Sequence, residues 1–168
     1  VYVVARFRHV DRYSLRDGAK IWQYDVKSQA HTAPTIAGDL VVFGSDDGTV
    51  YALERKTGKE VWQTDLGAAI FASPVHVDDA VIVAGTDSLI SAVELKTGEI
   101  LWQMQADGSV RKTPAYRDGK IVFGTGAGTL FAIDASKGEV IWSRQSRSAI
   151  STSPLIVDCL LYTSDAAD

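Results

Sequence analysis

Short apolar runs separated by small polar clusters fill the chain, and no run keeps the three-to-four-residue spacing of an amphipathic helix. Val81-Ile82-Val83 is an apolar triplet, and Leu89-Ile90-Ser91-Ala92-Val93 follows after a polar turn. Before them, Ser73-Pro74-Val75-His76-Val77 reads as a strand with proline at its start, where a missing N–H does least harm. Asp78-Asp79 is the turn between the first two strands, as Gly38-Asp39 and Asp118-Gly119 are elsewhere, which is the chemistry of a tight hairpin. Lys96-Thr97-Gly98 closes a further hairpin into Glu99-Ile100-Leu101-Trp102-Gln103, and its glycine stands where a type I turn with a bulge needs a left-handed residue. The pattern therefore predicts short antiparallel strands joined by tight turns.

That pattern repeats. The tryptophans are Trp22, Trp62, Trp102 and Trp142, and the prolines are Pro34, Pro74, Pro114 and Pro154. Both sets advance by 40 residues, as do Gly18, Gly58, Gly98 and Gly138, and every Trp and Pro of the chain is used. Four short strands in each unit of about forty residues predict an all-β chain of four-stranded blades, a β-propeller array. The absence of a sustained helical period argues against a helical solenoid.

Three copies of one segment carry a family likeness: Tyr51-Ala52-Leu53-Glu54-Arg55-Lys56-Thr57-Gly58-Lys59-Glu60-Val61-Trp62, Ser91 to Trp102 and Phe131 to Trp142. They resemble the repeat of pyrroloquinoline-quinone-type propellers, with its Ala-x-Asp, Thr-Gly-Lys turn and following Trp. The first copy departs from it, with Arg12 and Ser14 where Ala and Asp are expected. The resemblance covers residues 1–158 and implies that each Trp docks on the neighbouring blade. It implies Trp22, Trp62, Trp102, Trp142, Gly18, Gly58, Gly98 and Gly138 as the structural set. About four of an expected seven or eight blades are present, since a whole ring needs roughly 280–320 residues at this repeat length. Val1 running straight into Tyr2-Val3-Val4 reads as the middle of a longer frame. The open blades of such a piece predict poor solubility when it is expressed alone.

A fifth unit begins at Ser151-Thr152-Ser153-Pro154 and then loses register: Cys159 takes a turn position, Thr163 replaces a large apolar residue, and Ser164 replaces a Gly or Ala. Residues 159–168 resemble a translated transposon-end sequencing adapter, so the expected boundary of the native protein is 158. Cys159 is then no nucleophile, ligand or disulfide half.

Composition narrows the chemistry. With 17 Lys+Arg against 21 Asp+Glu the net charge is −4, and no basic block is present to neutralise phosphates, so a nucleic-acid partner is not expected. No apolar run approaches the ~18 residues of a membrane-spanning helix. One Cys excludes a disulfide framework. His9, His31 and His76 sit at three different phases of the repeat without metal-ligand spacing, and His76, in place of Ile36, Tyr116 and Ile156, is expected to pack in its strand. Ser151 and Ser153 lie at ordinary repeat positions. Gly124-Thr125-Gly126-Ala127-Gly128 has the look of a phosphate loop, but it runs into a strand rather than a helix and aligns with Gly44 to Gly48, so it is a turn. No catalytic, cofactor-binding or metal residue is assigned.

Variation within the period is more telling. Ahead of the successive prolines stand Ala30-His31-Thr32, Ile70-Phe71-Ala72, Val110-Arg111-Lys112 and Ile150-Ser151-Thr152. In a propeller these loops share a face with the second-to-third-strand turns, and loops on one face of a rigid scaffold are where recognition residues gather. His31, Phe71, Arg111 and Lys112 are the candidate partner face. The resemblance is closest to the BamB-type envelope propellers of outer-membrane protein assembly, which implies a non-catalytic scaffold with protein partners, no cofactor, and a periplasmic location. Two further readings stay open: a quinoprotein dehydrogenase fragment using pyrroloquinoline quinone and Ca²⁺, and the sensor propeller of a kinase. Against the former stand the absence of any Cys before residue 159 and of any Asn.

Overall fold

The computed structural model describes residues 1–5, 8–157 and 160–162, all in strands, turns and loops. The first sheet holds β1 (Tyr2–Ala5), β2 (His9–Tyr13) and β3 (Lys20–Asp25), in that order. The second holds β4 (Thr35–Ala37), β5 (Leu40–Gly44), β6 (Thr49–Glu54) and β7 (Glu60–Asp65). The third is β8 (Val75–Val77), β9 (Ala80–Ala84), β10 (Leu89–Glu94) and β11 (Ile100–Gln105). The fourth is β12 (Ala115–Arg117), β13 (Lys120–Gly124), β14 (Thr129–Asp134) and β15 (Val140–Gln145). A pair, β16 (Leu155–Val157) and β17 (Leu160–Tyr162), begins a fifth. Cys159, Thr163 and Ser164 lie outside the described residues.

All pairings are antiparallel, so each four-stranded sheet is an up-and-down meander. The short strands β4, β8, β12 and β16 are one another's neighbours across sheets, which places them innermost. Hydrogen bonds one repeat apart tie them together: the Ala33 amide donates to Ser73 Oγ (3.0 Å), and the Ser73 amide to Thr113 Oγ1 (3.2 Å). The strands carrying the tryptophans lie outermost.

The second and third sheets are each sandwiched between two others, which explains why their third strands read as continuous apolar runs. Alternate residues of one strand serve two seams. From β6, Tyr51 and Leu53 pack with Val10 and Trp22 of the first sheet, whereas Val50 and Ala52 pack with Val81, Val83 and Val93 of the third. The next seam joins Ile82, Ile90 and Ala92 to Ile121, Phe123 and Ile133. Stacked rings, Phe43 on Tyr51 and Phe123 on Phe131, fill two of these seams.

Two kinds of turn define the two faces of the array. On one face lie the tight hairpins joining first to second and third to fourth strands. Asp118 (φ 48°) and Gly119 (φ 74°) both take the left-handed region, as a two-residue type I′ turn requires. The pairing of third and fourth strands slips by one residue at Ala52/Leu53, Ala92/Val93 and Ala132/Ile133, a bulge repeated in every unit. The opposite face carries the second-to-third-strand turns and the loops between sheets.

Candidate interaction face

On the hairpin face the outer-strand tryptophans Trp22, Trp62 and Trp102 dock on the next sheet. Trp22 Nε1 donates to the Arg55 carbonyl (3.1 Å), Trp62 to Leu95 (2.8 Å) and Trp102 to Ala135 (3.2 Å). The indole ring lies flat over the glycine of the receiving hairpin. A Cβ on Gly98 would come within 2.7 Å of Trp62 Cδ2, and one on Gly58 within 2.5 Å of Trp22 Cδ2. Gly138 stands in the same relation to Trp102, while no ring covers Gly18, whose positive φ serves its turn alone. Trp142 is half-buried at the end of the fourth sheet.

The loop face is held by a different device. Each inter-sheet loop is clamped between the turn of the sheet it leaves and the turn of the sheet it enters. The Ile70 amide donates to the Ser45 carbonyl (3.1 Å), and the Thr86 amide donates to Ala69 (3.0 Å). The same pair recurs one repeat on, from Val110 to Gly85 and from Gly126 to Ser109. Phe71 and Arg111, each following a clamped aliphatic, are thereby fixed on the rim, and His31 stands at the same phase of a loop whose Gln29 carbonyl accepts from the Asp46 amide (2.8 Å).

The structure brings these three together. The His31 and Phe71 ring centroids are 6.0 Å apart, and the Arg111 guanidinium carbon lies 5.4 Å from the Phe71 centroid. A cation over an aromatic face is attracted by the ring quadrupole. His31 Nε2 also lies 3.1 Å from Asp46 Oδ2, in the turn of the second sheet. His31, Arg111 and Lys112 are exposed and Phe71 is half-buried. Lys112 occupies the phase at which Thr32 and Ala72 are buried, yet points outward to solvent.

The turns differ between sheets. In the second, Asp47 accepts from Ser45 Oγ and from the Thr49 amide (3.1 Å). Partial burial works to raise that carboxyl, but these hydrogen bonds outweigh it and hold its pKa below the usual range. In the third, Asp87 accepts from the Leu89 amide (3.1 Å). The fourth has Ala127 at that position, and Asp107 of the preceding loop replaces the lost carboxylate by accepting from Thr125 Oγ1 (2.8 Å) and Thr129 Oγ1. Sequence reasoning assigned Asp107 no role; its only signal was the missing aspartate at 127.

The remaining histidines stand apart from this rim. His76 lies in β8, half-buried, with Nε2 2.8 Å from the Asp78 carbonyl oxygen. His9 lies 3.4 Å from Asp11 Oδ2 in the first sheet, where Lys20 Nζ approaches Asp11 Oδ1 at 3.3 Å. Among the described residues no group of three or more His, Cys, Asp or Glu is placed to hold a metal ion. Nor, among the described residues, is any helix long and apolar enough to cross a membrane.

The family model described as outer membrane protein assembly factor BamB matches residues 6–155. BamB from Moraxella catarrhalis superposes with a TM-score of 0.87 at 24% identity, over 97% of this chain and 54% of that one. The computationally designed Ika8 protein gives 0.87 at 19% identity, over 96% and 51%. A quinohemoprotein alcohol dehydrogenase from Pseudomonas putida HK5 gives 0.80 at 17% identity, over 96% and 36%. At these identities the solved structures establish the fold, and the chain spans about half the length of the first two. No curated protein matches the sequence.

Proposed function

The chain belongs to the family described as outer membrane protein assembly factor BamB, and on that premise we propose that it is part of a non-catalytic propeller that holds protein partners in outer-membrane protein assembly. The bacterial envelope, at the periplasmic side of the outer membrane, is the location this reading entails. The observation that carries it is the rim formed by His31, Phe71 and Arg111: three different side chains at one phase of a strict repeat, with His31 and Arg111 exposed on either side of a half-buried Phe71. A scaffold needing only rigidity has no use for such variety, whereas a binding face does. Residues 1–158 supply four blades and the start of a fifth, and seven or eight blades complete the ring.

The test is binding of the intact protein to the periplasmic domains of an outer-membrane assembly barrel, followed by biolayer interferometry. Binding that weakens on alanine substitution of Phe71 and Arg111 supports the reading, and binding indifferent to both removes it. Dye-coupled alcohol oxidation after adding pyrroloquinoline quinone and Ca²⁺ would replace it with the dehydrogenase reading, which the shared fold with the Pseudomonas enzyme keeps in view.

A further inference from the structure

Charge on the loop face changes sign at the fourth sheet. The turns of the second and third sheets carry Asp46, Asp47 and Asp87, while the corresponding turn of the fourth is Gly126-Ala127. The loop entering that sheet adds Arg111 and Lys112. Neither meets a carboxylate among the described residues, in contrast to His31, which Asp46 holds. Asp107, in the same loop, brings one carboxylate to that turn, where it accepts from Thr125 and Thr129 and pairs with neither cation. Lys112 moreover stands at the phase where Thr32 and Ala72 of the two preceding loops are buried, yet it stays exposed.

Resting on the partner-face reading above, we propose that the rim of the fourth sheet binds an extended acidic peptide segment, its carboxylates on Arg111 and Lys112 and an apolar side chain on Phe71. Arg111 already lies over the Phe71 ring, so less side-chain freedom is lost when its planar fork meets a carboxylate. Charge-assisted, bidentate hydrogen bonds of that kind are among the stronger polar contacts available to a surface. An anionic lipid surface fits less well: it calls for a broad basic patch, and Asp46, Asp47 and Asp87 on the same face would repel it.

Fluorescence anisotropy on the intact protein tests this with three short labelled peptides of one length and one central Phe, bearing Glu, Gln or Lys at alternate positions. The Glu peptide binds, more weakly as salt is raised, and the Gln and Lys peptides do not. Arg111→Ala with Lys112→Ala lowers its affinity by at least roughly tenfold. Phe71→Ala has a smaller effect, Arg111→Lys recovers part of the loss, and Lys137→Ala, in a hairpin of the opposite face, changes nothing. Unaltered melting of each variant shows that the fold is retained. Equal binding of the Glu and Gln peptides, or full binding by the double variant, overturns the proposal. So does capture of phosphatidylglycerol vesicles through Arg111 and Lys112 with no peptide binding. If the double variant loses the assembly-barrel domains although the Glu peptide never bound, the acidic-segment proposal fails and the partner face stands. If the peptide binds but the barrel domains do not, the outcome is the reverse.

Discussion

On the hairpin face three tryptophans make one contact three times; on the loop face three residues of equal phase, His31, Phe71 and Arg111, make three different contacts. Trp22, Trp62 and Trp102 each cover a glycine with a left-handed backbone and donate to a carbonyl 33 residues further on. Such a contact tolerates no variation, because a buried indole needs both an acceptor and room for its ring. None of the three rim side chains belongs to a seam between sheets, so they are free to differ with little cost to the fold. The same array is thus constrained where its sheets meet and permissive at the rim proposed as the partner face.

Breaking the invariant side has the largest expected effect. Trp62→Ala removes a buried ring and its hydrogen bond, and should lower unfolding stability by about 3–5 kcal/mol in urea titrations. Gly98→Ala should cost about 2–4 kcal/mol, from a left-handed backbone at φ 78° and a Cβ driven into the Trp62 ring. The same substitution at Gly18, over which nothing lies, should cost only the backbone share.

The clamp between the two faces gives an intermediate effect. A Cβ on Gly44 would fall 2.4 Å from Ile70, and one on Gly124 2.3 Å from Ile150. The third sheet carries Ala84 at this position, and its loop carries the smaller Val110 instead of isoleucine. Gly44→Ala should therefore destabilise by about 1–3 kcal/mol, and Ile70→Val added to it should recover part of that loss. A double-mutant cycle with no coupling would refute this matching of sizes.

Smaller effects lie in the loop-face turns. Ser88 holds the left-handed position (φ 74°) that Gly48 and Gly128 fill in the neighbouring sheets. Ser88→Gly should stabilise the protein by roughly 0.5–1 kcal/mol in the same titrations. Asp47, with its carboxyl held below the usual range, contributes stability that is present above the unfolded-state pKa of ~4 and is lost as pH falls through its lower folded value. Asp47→Ala should accordingly flatten the acid side of the pH–stability profile and leave its alkaline side in place.

The features legible in the sequence were those that repeat. The forty-residue step of Trp, Pro and Gly prefigured the blades, the bulged hairpins and the order of strands, because each of these residues answers a local backbone demand. Residues that touch across blades were harder to read. The pairing of Gly44 with Ile70, and of Ala84 with Val110, is written in the chain, but it acquires meaning only once the loop is known to tuck under the turn. Three of the four rim candidates were visible as variation at one phase, and Lys112 at the next. That His31 would turn to Asp46, and Arg111 to Phe71, depends on side-chain directions that no period encodes. Asp107 was invisible for the same reason, since it acts for a carboxylate missing from a different segment.

The division between scaffold and recognition face is tested most directly by one triple variant, His31→Ala, Phe71→Ala and Arg111→Ala, measured for binding to the periplasmic domains of an outer-membrane assembly barrel. The account predicts that binding falls by at least roughly tenfold while the urea midpoint stays within the change typical of surface substitutions, about 0.5 kcal/mol each. Undiminished binding, or a loss of stability as large as that of Trp62→Ala, would contradict it.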